Sequence, residues 1–223
     1  MESNSFLFPT TEIVAIRLFA EWYTHSKGVV GHQHESESDI CDLDLKLFLY
    51  DDKARMIERL DGDATVSSDG SIELTSDIAA TDVSESYIEL AKANLDKIDK
   101  SVEAIILFLD GGVKNYSMVN RVKFTCRHTP GDRTDIKSSG VNENLLTSTY
   151  ESDDLCEGIV LAALYRVYDK KNRRSPPRWK LTAIFEESTH ASLKNKYDLS
   201  TLMVTTVVPS LTRYRPRVFS SVR

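Results

Sequence analysis

The chain has 223 residues, of which 41% are apolar and 28% charged, with a formal net charge of −6. That is ample for a sizeable core, and it fits one large all-β domain or two small ones. The mild acidity argues against a general nucleic-acid binder, so no DNA partner is expected, and no apolar run approaches the roughly 18 residues that a membrane helix needs.

The N-terminus, MESNSFLFPTTEIVAIRLF, lacks a basic stretch and a clear cleavage site, so no secretory signal is read there. Glu12–Trp22 then alternates: Val14, Ile16, Leu18, Ala20 and Trp22 form an apolar face, and Ile13, Ala15, Arg17, Phe19 and Glu21 a mixed one. That period of two predicts a strand. Tyr23–Ile40 is polar and irregular. His32 and His34 form an HxH pair of the kind that ligates metals, but no third ligand follows at a definite spacing. A solvated loop is therefore the reading taken.

Cys41–Asp52 holds the clearest alternation, with Leu43, Leu45, Leu47 and Leu49 on one face and Asp42 and Asp44 on the other. These two carboxylates stand about 7 Å apart at one end of a predicted core strand. Lys53–Leu60 reads as a short strand or irregular arm. Asp61–Gly70 carries Asp61, Asp63 and Asp69 beside Gly62 and Gly70. It lacks the acid spacing and closing glutamate of an EF-hand loop, so tight turns are expected. Ser71–Thr75 alternates briefly, Ser76–Ser86 reads as a polar loop, and Tyr87–Ala91 resumes a strand. Lys92–Ser101 is read as holding one helical turn. Val102–Asp110 is almost continuously apolar, which predicts a central strand covered on both faces.

Met118–Cys126 places Asn120 among Met118, Val122, Phe124 and Cys126, and so predicts a buried, hydrogen-bonded asparagine. His128–Tyr150 reads as a long loop insertion. Gly158–Val167 and Arg178–Phe185 form a second buried hairpin with a basic tip containing Arg173 and Arg174. Glu186–Ser200 is polar, Thr201–Val208 is a last apolar strand, and Pro209–Arg223 is an acid-free tail with Arg213, Arg215 and Arg217. Cys41, Cys126 and Cys156 are widely spaced with no CxxC pair, which predicts buried thiols in a reducing compartment and a cytoplasmic location.

About nine or ten short strands, few short helices and no βαβ alternation predict an antiparallel β-sandwich of two sheets. The domain is expected over residues 12–208, between an arm at 1–11 and a tail at 209–223, with the insertion at 128–150. No GxSxG, Walker A, GxGxxG or zinc-protease motif is present, and the chain is not expected to be an enzyme.

Several stretches in order resemble the TerD domain of tellurium-resistance and stress proteins. Glu21-Trp22-Tyr23 stands where the family has Gly-Trp-Asp. Asp42-Leu43-Asp44 with Leu47-Phe48-Leu49 resembles its Asp-Leu-Asp strand, and Asp69-Gly70-Ser71 its following turn. Asn115–Phe124 is similar to its Asn-Phe-Gly-x-Val-x-Asn-Ala strand. Leu164-Tyr165-Arg166 and Trp179-Lys180 match its Leu-Tyr-Arg hairpin with a Trp-Lys return. The resemblance spans roughly residues 12–188.

It implies a two-sheet sandwich that binds calcium through acidic loops at one end. Carried over residue by residue, the ligands would be Asp42, Asp44, Asp77, Asp82 and Glu85. The glycines of the family's acidic loop are missing around Ile78 and Val83, and Tyr23 replaces an acid. Calcium needs six to eight oxygens on a backbone that turns tightly, so the expected outcome is a weak calcium site or a degenerate one. The resemblance implies a non-catalytic interaction module in a stress-response or membrane-associated assembly, any membrane contact being peripheral. The other reading is a structural subunit of a larger complex that has lost calcium binding. Its basic tip and tail (Arg173, Arg174, Arg213, Arg215 and Arg217) would then dock on an anionic partner.

Overall fold

A computed structural model describes residues 5–9, 15–24, 43–53, 55–78, 86–111, 119–128, 144–151, 158–169 and 175–188. Among them are eleven strands and no helix: β1 (Ser5–Leu7), β2 (Ala15–Thr24), β3 (Asp44–Tyr50), β4 (Met56–Leu60), β5 (Ile72–Ile78), β6 (Ser86–Asn94), β7 (Ala104–Asp110), β8 (Val119–His128), β9 (Asn144–Glu151), β10 (Gly158–Val167) and β11 (Arg178–Ser188). They form two antiparallel sheets, ordered β1-β11-β10-β7-β3-β4 and β5-β6-β2-β8-β9. The expected β-sandwich is what the chain adopts.

The alternating leucines of β3 all point into the space between the sheets, where they meet Ile16, Leu18 and Trp22 of β2 and Leu107 and Leu109 of β7. Burial is two-sided in the middle of the larger sheet, as the continuous apolar run of β7 predicts. Phe48, Tyr50, Ile106, Phe108, Val160 and Tyr165 form a second buried cluster on the opposite face. In the smaller sheet, Arg17, Leu90 and Thr125 share the outer face and are likewise buried. Gly158 is required by this packing. A Cβ there would lie 2.1 Å from Cζ of Phe108, whose ring crosses the strand at that point.

Four expectations are corrected. Residues 92–101 hold no helical turn, because β6 runs on to Asn94 and Leu95–Ser101 is a series of turns. Part of the expected long loop is an edge strand, β9, paired with β8. Asp77 lies in β5, which continues through a bulge to Ile78. Asn120 is exposed, because a register shift between Tyr23 and Thr24 of β2 turns Val119 inward in its place. In addition, Ser5–Leu7, within the expected arm, pairs with β11 as an edge strand.

The aspartate–glycine turns are confirmed as turns. Asp61 and Ala64 exchange backbone hydrogen bonds of 3.1 Å, and Arg59 reaches the Asp61 carboxylate at 2.7 Å. Gly70 takes φ +67°, the left-handed conformation that glycine adopts without penalty. Beside it, Asp69 accepts from the Ser67 hydroxyl at 2.7 Å, the Ser71 amide at 2.8 Å and the Asp99 amide at 2.7 Å. The last bond ties the start of β5 to the β6–β7 turn.

The Leu-Tyr-Arg and Trp-Lys motifs meet at that same turn. Arg166 donates through Nε to the Val102 carbonyl at 2.8 Å and through Nη2 to the carbonyls of Ile98 and Asp99 at 3.1 Å. Its guanidinium lies 4.5 Å over the Trp179 ring, whose indole N–H donates to the Leu95 carbonyl at 3.2 Å. A planar fork with several donors can satisfy three carbonyls and stack at once, which a lysine cannot do.

Burial alone would raise the Asp69 pKa, but the hydrogen bonds from Ser67, Ser71 and the Asp99 amide outweigh it and hold the carboxyl at about 2. An acid depressed in the folded state stabilises the fold above the ordinary carboxylate pKa, and that contribution is lost as pH falls through about 2. Urea denaturation between pH 5 and pH 2, a range chosen around the about 3.9 of a free aspartate, should show stability falling with pH. Asp69→Asn should be less stable than the parent at pH 5 and show a shallower fall. A parallel fall in both proteins would remove this role from Asp69.

Candidate functional site

One end of the sandwich gathers the carboxylates that the sequence singles out. β3, β6, β8 and β10 begin there, and β2, β5, β7, β9 and β11 finish there, as the register pairs Asp44↔Asp110, Gly158↔Asp110, Tyr23↔Ser86 and Arg121↔Glu151 require. Asp44 opens β3 and is exposed, while Asp77 lies near the finish of β5. These two proposed ligands are therefore brought to the same end. Asp42, Asp82 and Glu85 lie outside the described residues, as do Arg173, Arg174, Arg213, Arg215 and Arg217, the HxH histidines and Thr201–Val208.

Three pairings at this end were not singled out from the sequence. Lys46, two residues into β3, donates to and neutralises Asp110 at the finish of β7. Their strands are neighbours, but 64 residues separate them in the chain. Glu89 of β6 accepts the amide of Leu45 across the gap between the sheets. The bond has a simple cause: β4 stops opposite Leu47, so the outward amide of Leu45 has no strand to pair with. On the outer face of the smaller sheet, Lys123 reaches Glu21 at 2.9 Å.

Tyr23 donates to Glu21 at 2.5 Å and lies under the Arg121 guanidinium at 4.1 Å. Burial and the bond to Glu21 raise its pKa, so it is a neutral donor at ordinary pH. The phenol offers a neutral hydrogen-bond donor there, and that donor is taken up by Glu21. Phe185 closes this end. It takes φ 51°, a conformation costing about 1–2 kcal/mol outside glycine, where β11 bulges against β10, and its ring stacks on Tyr150 of the other sheet at 5.7 Å.

The donor set fits calcium only in part. Among the described residues no three of His, Cys, Asp and Glu converge in a way that could hold a metal ion. Asp110 is committed to Lys46, and Glu89 to a backbone amide. Cys126 is buried and free, and burial pushes its thiol far above the ordinary cysteine range, so it is not a nucleophile. No described helix is long and apolar enough to cross a membrane.

No protein-family profile matches the chain, and no curated protein matches it. Among solved structures it is similar to SAV2460, a protein of unknown function, with 14% identity and a TM-score of 0.51, covering 84% of this chain and 98% of that one. It is also similar to SCO6318 from Streptomyces coelicolor A3(2), a homologue of the telluride resistance protein TerD. There the identity is 14% and the TM-score 0.47, over 83% of this chain and 98% of that one. The likeness to SAV2460 is one of fold.

Glu89 provides the direct test of how this end is held. Glu89→Ala should cost about 1–3 kcal/mol in urea denaturation, the cost of leaving a buried amide unpaired. Glu89→Gln, which keeps an accepting oxygen, should retain most of the stability. Equal losses in both variants would show that the charge, not the acceptor, is what matters.

Proposed function

We propose that the chain is a non-catalytic, TerD-like interaction module with a weak calcium site at its acidic end, acting in a cytoplasmic stress-response or peripherally membrane-associated assembly. The observation that carries this is the placement of Asp44 and Asp77 at the same end of the sandwich, Asp77 on β5, which with β6 bounds the segment 79–85. Asp42, Asp44, Asp77, Asp82 and Glu85 would supply the oxygens. Backbone carbonyls and water would complete a shell of six to eight. The buried, protonated thiol of Cys126 supports a non-catalytic reading.

The ion pair of Lys46 and Asp110 favours a second reading, in which an ammonium has taken over the neutralising role of a metal. The chain would then be a structural subunit that has lost calcium binding and docks on an anionic protein surface through its basic tip (Arg173, Arg174) and tail (Arg213, Arg215, Arg217).

Calorimetric titration with calcium separates the two. The first reading expects one site with Kd about 10⁻⁴–10⁻³ M, lost in Asp44→Asn/Asp77→Asn and tightened in Lys46→Met, which frees Asp110. Absence of binding throughout that range in the parent and in Lys46→Met would remove the metal and leave the structural subunit.

A further inference from the structure

The opposite end of the sandwich carries a cavity of about 380 Å³, formed where the residues after β1, the β6–β7 turn, the finish of β10 and the start of β11 meet. That volume lies in the lower part of the range for small-molecule sites, roughly 300–1,000 Å³. Its floor is apolar: Phe8, Leu95, Ile98 and Trp179 are each at most 6% exposed. The polar groups of the wall already have partners within the protein. The Trp179 indole N–H is given to Leu95, and Arg166 donates to three carbonyls. The Tyr168 hydroxyl donates to Glu103 at 2.5 Å, which fixes a ring that is 48% exposed at the rim. An occupant of this cavity therefore meets flat, apolar, pre-positioned surfaces.

The rim is charged differently from the chain as a whole. Lys100 and Arg178 are exposed lining residues and make no ion pair among the described residues; Asp96 is the one acid of the lining. Arg166 adds positive charge to the wall. In a chain of net charge −6 this is a local excess of cations beside an aromatic floor.

We infer that this cavity binds a small anion with a flat apolar body, an aromatic carboxylate or phosphate. Its ring would lie against the exposed ring of Tyr168, over the apolar floor that Trp179 closes, and its charge would be met by Lys100 and Arg178. The exposed Tyr168 ring supplies the stacking surface, and the two cations select for charge. The site is remote from the acidic end and does not depend on whether calcium binds there.

The test is titration of the full chain with 2-naphthoate, 2-naphthyl phosphate and the neutral 2-naphthalenemethanol, followed by tryptophan emission. A Trp22→Phe variant leaves Trp179 as the reporter. Both anions should saturate below about 1 mM and bind at least roughly tenfold more tightly than the alcohol. Arg178→Ala and Lys100→Ala, both at exposed positions, should each weaken the anions by about three- to tenfold and leave the alcohol unchanged. The carboxylate and phosphate arms show which anion the site prefers. Equal affinity for the alcohol would overturn the inference, as would anion affinity unchanged in Arg178→Ala/Lys100→Ala or no saturable binding by any probe.

Discussion

The guanidinium of Arg166 is the contact on which much of this sandwich depends. It projects from the finish of β10 and holds the carbonyls of Ile98, Asp99 and Val102, the turn that carries the chain from the smaller sheet to the larger. Its face covers Trp179 at the start of β11, and the amide of Phe8 donates to the Trp179 carbonyl at 2.9 Å. Asp69 brings in β5 through the Asp99 amide. One side chain thus links β6, β7, β10 and β11 directly, and β1 and β5 through a single further bond each. Hydrogen bonds from a charged donor contribute about 1.5–3 kcal/mol each, so their loss is a large share of a domain's net stability.

The two ends of the sandwich are built on different chemistry. At the Arg166 end, one guanidinium satisfies the carbonyls of Ile98, Asp99 and Val102, and an apolar cavity is left open. At the other end, carboxylates of both sheets are answered one by one by Lys46, Lys123 and the Leu45 amide. That local compensation leaves Asp110 and Glu89 already partnered within the protein. An ammonium delivers one charge with no coordination geometry, whereas calcium demands several oxygens arranged around it.

Much of the fold was legible in the sequence because it rests on short-range periodicity. The alternating leucines of β3 and the unbroken apolar run of β7 each fixed a burial pattern that the structure shares. β9 was missed because its sequence, NLLTSTYE, is polar for a core strand. It lies at a sheet edge, where threonines suit a half-solvated pleat. The inward turn of Val119 and exposure of Asn120 follow from a bulge, and the helical turn expected before β7 is overridden by Asp69 and Arg166, which act from distant parts of the chain. The candidate site was legible in half. Asp44 announces itself through alternation. Lys46–Asp110 and Glu89–Leu45 join residues 64 and 44 positions apart, and only strand order brings them together.

Hydrogen exchange on the parent protein, Arg166→Lys and Arg166→Ala tests the clamp most directly. If Arg166 holds the end together, both variants should lose protection at Asp99, Val102 and the first residues of β11. A loss of about 2 kcal/mol corresponds to roughly a 30-fold faster exchange, and lysine should fail to rescue it because it cannot satisfy three carbonyls and stack on Trp179 together. Unchanged protection at these amides in both variants would contradict the account.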